Sequence, residues 1–297
     1  MPSYKILSCD LDGTLLEHGT HVSEENDRAI RTLAAHGCLF VINTGRTYSE
    51  VPKELREHPA IQYIICSDGA AIYDQKNGTR IPLCMNNKVT NQVMDILADY
   101  DVSLTLRENG CCYVNAKTHN DEDYIAHNAN ASWRRFFYLY GIPKENFSHF
   151  CREATEVEMI CPFFASANER AEAAKRLGTL EGVRVASSAN VNLEIYSKNA
   201  GKGNALLYLA AQLGIDPSQT LAVGDSENDS DMIKKAGLGL AMENACPELK
   251  TLASAVACRN TEHVVDHILK HYFSNETLFF KTVFGKAIDK PEKQCYN

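Results

Sequence analysis

Two aspartates stand two positions apart in Cys9-Asp10-Leu11-Asp12-Gly13-Thr14, directly after a short apolar run at 5–9. On an extended chain, side chains two apart share a face, so both carboxylates turn toward one pocket while Leu11 points away. Carboxylates this close repel and raise each other's proton affinity unless a cation neutralises them. An all-oxygen site suits Mg²⁺, which is held by one or two carboxylates together with a substrate phosphate. The chemistry that follows is phosphoryl transfer, one aspartate attacking phosphorus and its neighbour handling protons. The bland alternative is an Asp-Gly turn that only reverses the chain.

Three further stretches bear on that choice. Gly224-Asp225-Ser226-Glu227-Asn228-Asp229 follows another apolar run and supplies more hard-oxygen groups; by itself it reads equally as a helix start capped by Asp229. Thr44-Gly45-Arg46 offers a hydroxyl, a glycine that permits close backbone approach, and a cation. Lys202 lies between Gly201 and Gly203 at the start of a helical pattern, where backbone N–H groups and an ammonium together favour an anion. Singly, each is a turn or a solvated loop. In this order, with the first three each placed after an apolar strand, they describe one site at the carboxyl ends of parallel strands.

The elements that position these residues are α/β in pattern. Short, nearly continuous apolar runs at 5–9, 38–42 and 63–66 read as strands buried on both faces of a parallel sheet. Ser23 opens a helix that Gly37 ends, and a second helix is expected over 48–57. The alternation returns with strands at 221–223, 238–242 and 255–258 and helices over 203–213, 229–236 and 262–272. The middle differs. A helix over 89–98 precedes strands at 103–107 and 113–115, which flank Asn109-Gly110, a strong hairpin signal. A long amphipathic helix over 121–140, a strand at 157–163, a helix over 168–180 and strands at 183–186 and 192–196 complete an α+β unit, with an antiparallel sheet covered on one face. The tail from Ser274 has apolar anchors at Leu278, Phe279, Phe280, Val283 and Phe284, and leaves open packing on the core or against a second copy in a homodimer.

The 297 residues suffice for two domains, and 44% hydrophobic with 23% charged residues excludes a disordered chain. Thirty-eight acidic residues against 30 basic give a net charge of −8, which disfavours nucleic acid and anionic membrane partners. There is no apolar run of membrane-spanning length and no leader pattern at the N-terminus, so a cytoplasmic protein is expected. The 11 cysteines, with no Cys-x-x-Cys and several in apolar runs, read as reduced packing residues. Adjacent Cys111 and Cys112 cannot share a metal in a relaxed geometry.

Taken together, the four motifs resemble those of the haloacid dehalogenase superfamily of phosphatases, and their spacing is similar to the Cof-type branch with a type IIB cap. The resemblance covers residues 4–272. It implies a doubly wound, mostly parallel, Rossmann-like core at 1–84 and 198–273, an inserted α+β cap at 85–197 and an extension at 274–297. It implies Asp10 as nucleophile, forming an aspartyl-phosphate, and Asp12 as general acid/base. Mg²⁺ would be held by the Asp10 side chain, the Asp12 backbone carbonyl and Asp225, with Asp229 either supporting these ligands from behind or also ligating. Leu11, Thr44, Gly45, Lys202 and Asn228 would hold the phosphoryl oxygens. Arg46 and Asp68 are further candidates for substrate contact. Asp68 stands where the family usually has Asn, in Ser67-Asp68-Gly69-Ala70, and capping the turn is its bland role. On the cap, Arg107, Asn109 and Tyr113 are candidates to set specificity, while Arg134-Arg135 reads as solvated.

The expected activity is Mg²⁺-dependent hydrolysis of small phosphorylated metabolites, sugar phosphates first among them. A phosphosugar mutase is disfavoured by Thr44-Gly45-Arg46 and by the lack of an evident arginine cluster in the cap. A non-catalytic sensor is disfavoured because both Asp10 and Asp12 are present.

Overall fold

The computed structural model describes residues 4–16, 21–187 and 190–273. The fourteen described strands fall into two sheets. Strands β1 (Ile6–Cys9), β2 (Leu39–Asn43), β3 (Ile61–Cys66), β4 (Ala71–Asp74) and β5 (Thr79–Pro82) belong to the first. Strands β6 (Val102–Glu108), β7 (Cys111–Asn115), β8 (Gly141–Lys144), β9 (Val157–Phe164), β10 (Val183–Ala186) and β11 (Glu194–Ser197) form the second. Strands β12 (Thr220–Gly224), β13 (Leu238–Ala241) and β14 (Ala255–Val256) return to the first. The first sheet runs β14-β13-β12-β1-β2-β3-β4-β5 and is parallel from β14 to β3. Its central strands are apolar because helices cover both faces: Ile6, Leu7, Val41, Ile42, Ile64 and Val223 are all fully buried. The antiparallel pair β4–β5 extends it beyond what the sequence reading anticipated.

The second sheet runs β10-β11-β9-β6-β7-β8, antiparallel except where β7 and β8 pair in parallel. One face packs on helices Asn87–Leu97, Phe147–Glu153 and Ala167–Leu177 through Leu106, Ile160, Phe164 and Ile195. The other face is not bare. Cys161 and Phe163 meet Tyr124 and Phe137 at one end, and Met159 and Tyr196 meet Ala70 and Ala200 of the first sheet's unit.

Local chemistry sets the boundaries. The Ser23 hydroxyl accepts from the Asn26 amide and starts helix Glu24–Ala35. Asn109 and Gly110, at φ 52° and 73°, make the tight β6–β7 turn. The helix expected over 48–57 is two pieces, Tyr48–Glu50 and Lys53–Arg56, because Pro52 cannot continue the first. The single helix expected over 121–140 is also two, Asp121–Ala126 and Ala131–Tyr140. Asn128 turns left-handed at φ 60°, and the Asn130 side chain caps a new start. The cysteines of the described residues are unpaired, with Cys9, Cys38, Cys66 and Cys161 buried. No helix among the described residues is long and apolar enough to cross a membrane. The apolar anchors at 278–284 lie outside the described residues.

Candidate active site

Strands β1, β2, β3 and β12 end side by side, and the loops that follow them line one cleft of about 1400 Å³ with Asp10, Asp12, Thr44, Gly45, Arg46, Asp68, Asp225 and Asn228, joined by Lys202 from the helix start after β11. Asp10 is 5% exposed and accepts from Lys202 Nζ at 2.7 Å; the same ammonium donates to Asp229 Oδ1 at 2.7 Å. Lys202 opens helix Lys202–Gln212 and is pinned from behind, because Asn43 Nδ2 on β2 donates to its carbonyl at 3.0 Å. The other oxygen of Asp229 accepts from the amides of Asp225 and Ser226 at 2.9 and 3.0 Å. Asp229 therefore shapes the loop and holds the lysine with both oxygens in use. Gly224 is obligatory there, since a Cβ would collide with the Asp229 carboxylate.

Asp10, Asp225 and Asp229 bring one oxygen each within 4.8 Å of one another. Burial pushes the Asp10 carboxyl well above its ordinary range; Lys202 pulls it back, and Asp229 and Asp225 add to the rise. Burial and Asp229 push Asp225 up to about 6. For Lys202, burial works downward, but Asp10, Asp229 and Asp68 outweigh it and hold the ammonium well above its ordinary value. Three carboxylates against one ammonium leave two negative charges uncompensated, which is the charge of one divalent cation. The donors are hard oxygens, and Thr14 Oγ1 orients Asp225 from 3.2 Å. Gly13 at φ 79° clears the space, since a Cβ there would sit 2.5 Å from Asp225 Oδ2. These residues fit a hard divalent cation.

Asp12 occupies a different environment from Asp10. Its side chain is 53% exposed, and its carboxylate accepts from Arg46 Nε and Nη2 at 2.8 and 2.6 Å. The mutual repulsion expected between the two aspartates is not what raises Asp10; burial does, with Asp229 and Asp225 behind it. Leu11 does not line the cleft. Its side chain is fully buried in the core, and its carbonyl accepts from the amides of Thr14, Leu15 and Leu16. Thr44 is 1% exposed, and its hydroxyl accepts from the Arg46 amide at 3.1 Å.

Ser67 and Asp68 both adopt left-handed backbone, at φ 49° and 50°. The Asp68 carboxylate does not cap its own turn. It is 4% exposed and accepts from Asn228 Nδ2 at 3.0 Å across the cleft. Burial raises its proton affinity, which Lys202 and Arg107 pull down.

The second sheet roofs the cleft. On β6 the leucines Leu104 and Leu106 enter the cap's own core, while Ser103, Thr105 and Arg107 alternate onto the opposite face. Arg107 is 7% exposed and its Nη1 donates to the Gly45 carbonyl at 2.6 Å. Glu194 and Tyr196 on β11, Arg184 on β10, and Trp133 and Phe136 complete the roof. Among these, sequence reasoning had singled out only Arg107; alternation about Ile195 was the signal for Glu194 and Tyr196. Asn109 and Tyr113 do not line the cleft. Arg134 is not simply solvated, since it pairs with Asp121 at 3.2 Å.

A parallel sheet with carboxylates at its strand ends, a buried lysine at a helix start beside them and an inserted sheet above defines a capped, doubly wound α/β protein with an acidic site. The model of the haloacid dehalogenase-like hydrolases matches residues 7–269. A phosphatase of Bacillus subtilis, YwpJ, is 30% identical over 289 residues, covering 90% of this chain and 99% of its own. A solved haloacid dehalogenase-like hydrolase from B. subtilis superposes with a TM-score of 0.75 at 29% identity, covering 90% and 99% of the two chains. A subclass IIB sugar phosphatase shares the fold with a TM-score of 0.73 at 20% identity, covering 91% and 99%. The chain belongs to the haloacid dehalogenase-like hydrolases, in the Cof-type branch, and is a phosphoric monoester hydrolase.

Proposed function

We propose that the protein is a Mg²⁺-dependent phosphatase of small phosphorylated metabolites, sugar phosphates first among them, working through a phosphorylated Asp10. The observation that carries this reading is the buried Lys202 bridging Asp10 and Asp229 at 2.7 Å each, at the edge of an oxygen cluster that fits a divalent cation. Asp10, Asp225 and the Asp12 carbonyl would hold Mg²⁺, with Asp229 orienting Lys202 and the Asp225 loop behind them. Bound there, the cation offsets charge on the phosphoryl oxygens and helps keep Asp10 ionised. The core is assigned to 1–84 and 198–273, the cap to 85–197 and the extension to 274–297.

In the first half-reaction an Asp10 oxygen forms a bond to phosphorus, the ester P–O bond breaks, and Asp12 gives the leaving oxygen its proton. In the second, Asp12 takes a proton from water as the water oxygen bonds phosphorus, and the Asp10–phosphorus bond breaks to free phosphate. Asp12 must turn from Arg46 to do this, and its exposed position on the rim allows that movement. Thr44, the Gly45 amide, Lys202 and Asn228 are assigned to the phosphoryl oxygens, with backbone alone available from Leu11. Arg46 and Asp68 are assigned to the substrate's leaving group.

The cap brings two arginines into the cleft, Arg107 and Arg184, which bears on the mutase alternative. Both are engaged, Arg107 with Gly45 and Arg184 with Asp231 at 3.4 Å, and Glu50, Asp68 and Glu194 stand in the same cleft. Carboxylates there oppose a second phosphate, which favours hydrolysis over transfer. The test is p-nitrophenyl phosphate hydrolysis by wild type and Asp10→Asn, with Mg²⁺ and with chelator. Mg²⁺-dependent turnover lost in the variant supports the reading; equal rates in the two proteins contradict it.

A further inference from the structure

Ser67 and Asp68 are consecutive residues with left-handed backbone, and Gly69 follows them at φ 87°. That backbone costs free energy for any residue with a Cβ, so the surroundings must hold the turn. The core supplies three backbone bonds. The Ser67 amide donates to the Arg46 carbonyl at 2.8 Å, the Asp68 amide to the Thr44 carbonyl at 3.1 Å, and the Gly201 amide to the Asp68 carbonyl at 2.8 Å. The cap supplies one side chain, Glu158 on β9.

Glu158 and Ser67 are both fully buried. Glu158 Oε1 accepts from the Gly110 amide at 2.9 Å, Arg80 Nη2 at 3.1 Å and the Tyr73 hydroxyl at 3.4 Å, which fixes the carboxylate in place. Its Oε2 accepts from Ser67 Oγ at 2.7 Å. Fastening the cap to β4 and β5 needs only the first oxygen; the second is given to the turn. At the other end of the turn, Asn228 Nδ2 donates to Asp68 Oδ1 at 3.0 Å. Asn228 is exposed in the cleft, and this is its side chain's one hydrogen bond among the described residues. A carboxylate only accepts, so the bond decides which way the Asn228 amide faces and leaves its second N–H for a ligand. An asparagine at position 68 would pair with either end of that amide and decide nothing.

We propose that Glu158 is a positioning residue of the active site: through Ser67 it holds the turn from which Asp68 sets the Asn228 amide toward a phosphoryl oxygen. The cap thereby takes part in building the phosphate pocket. The proposal rests on the phosphatase reading above, which assigns Asn228 to the phosphoryl oxygens.

The experiment measures inhibition of p-nitrophenyl phosphate hydrolysis by inorganic phosphate, which has no leaving group and reads the phosphoryl pocket alone. The full chain, Ser67→Ala, Asn228→Ala and the double variant are compared with Mg²⁺ present, and each is melted to record its Tm. Ser67→Ala removes one hydroxyl and keeps the Asp68 charge, so its inhibition constant should rise about 5-fold, as for one hydrogen bond lost. Asn228→Ala should raise it about 10-fold or more, because there the lost bond is to a charged group. The double variant should match Asn228→Ala within about 2-fold, because Ser67 acts through that amide. Losses that multiply in the double variant overturn the proposal. So does a Ser67→Ala protein whose Tm falls while its inhibition constant stays at the wild-type value, since Glu158 would then only fasten the cap. An unchanged inhibition constant in Asn228→Ala overturns it too, because the chain of contacts would end on no phosphoryl oxygen. A wild type without turnover contradicts the phosphatase reading itself. Should Ser67→Ala fail to fold, Ser67→Gly carries the comparison, since glycine takes left-handed backbone without the Cβ penalty and still lacks the hydroxyl.

Discussion

At the scale of residues, the decisive asymmetry is between two aspartates that the sequence presents as equals. Asp10 is buried against Lys202, whereas Asp12 sits on the rim in the grip of Arg46. Removing the proposed nucleophile by Asp10→Asn should lower kcat on the order of 10⁴-fold or more. Removing the proposed acid/base by Asp12→Asn should cost about 10²- to 10⁴-fold, read by steady-state hydrolysis of p-nitrophenyl phosphate. Asp225 gives a pH signature. Its folded value of about 6 lies above the ordinary carboxylate value of 3.8, so between these the folded chain binds the proton more readily. The Asp225 contribution therefore works against the metal-free fold above about pH 6 and eases as pH falls through that value. In the proposed metal site Mg²⁺ would compete with that proton, so the rise in Tm on adding Mg²⁺ should be larger near pH 8 than near pH 5.5. Thermal melts at both values check this; an equal rise at both would remove Asp225 from the metal's ligands.

At the scale of elements, one contact that joins the two sheets is made by Glu158 on β9. It is fully buried and accepts from Ser67 Oγ at 2.7 Å, the Gly110 amide at 2.9 Å and Arg80 Nη2 at 3.1 Å. Ser67 precedes Asp68, so this cap carboxylate also braces the left-handed turn that aims Asp68 at the cleft. Arg80→Met leaves Glu158 buried without its counter-charge and should cost about 3 kcal/mol of stability in urea unfolding, against under 1 kcal/mol for Arg28→Met on the exposed helix face. Neither Glu158 nor β4–β5 was legible in the sequence. A glutamate inside Val157–Phe164 reads as one polar residue in an apolar run, and its donors come from three distant segments. The hairpin of β4 and β5 did carry a signal, Asn77-Gly78, but four-residue strands are too short for periodicity to declare. The split of the 121–140 helix was hidden for another reason. Its apolar spacing runs on through Asn128, and only tertiary packing decides whether an asparagine turns left-handed.

At the scale of the whole molecule, the four motif loops were legible because parallel strands must end on one side of their sheet, which turns sequence order into spatial proximity. The roof was not, because which face of β6 and β11 meets the core depends on how the cap docks. Of the three cap candidates Arg107, Asn109 and Tyr113 only Arg107 faces the cleft, and Glu194 and Tyr196 became site residues only in three dimensions. The net charge of −8 sharpens the same point: an acidic molecule handles an anionic substrate through a local site, with Lys202, Arg46 and Arg107 facing inward. The central claim is that phosphate passes through Asp10 beneath this roof, and trapping it there is the most direct test. Asp12→Asn, incubated with Mg²⁺ and a phosphomonoester it turns over, then denatured in acid and reduced with borohydride, should yield the Asp10 peptide carrying homoserine at position 10 by mass spectrometry. An Asp10 peptide left unmodified, while wild type releases phosphate under the same conditions, would contradict the account.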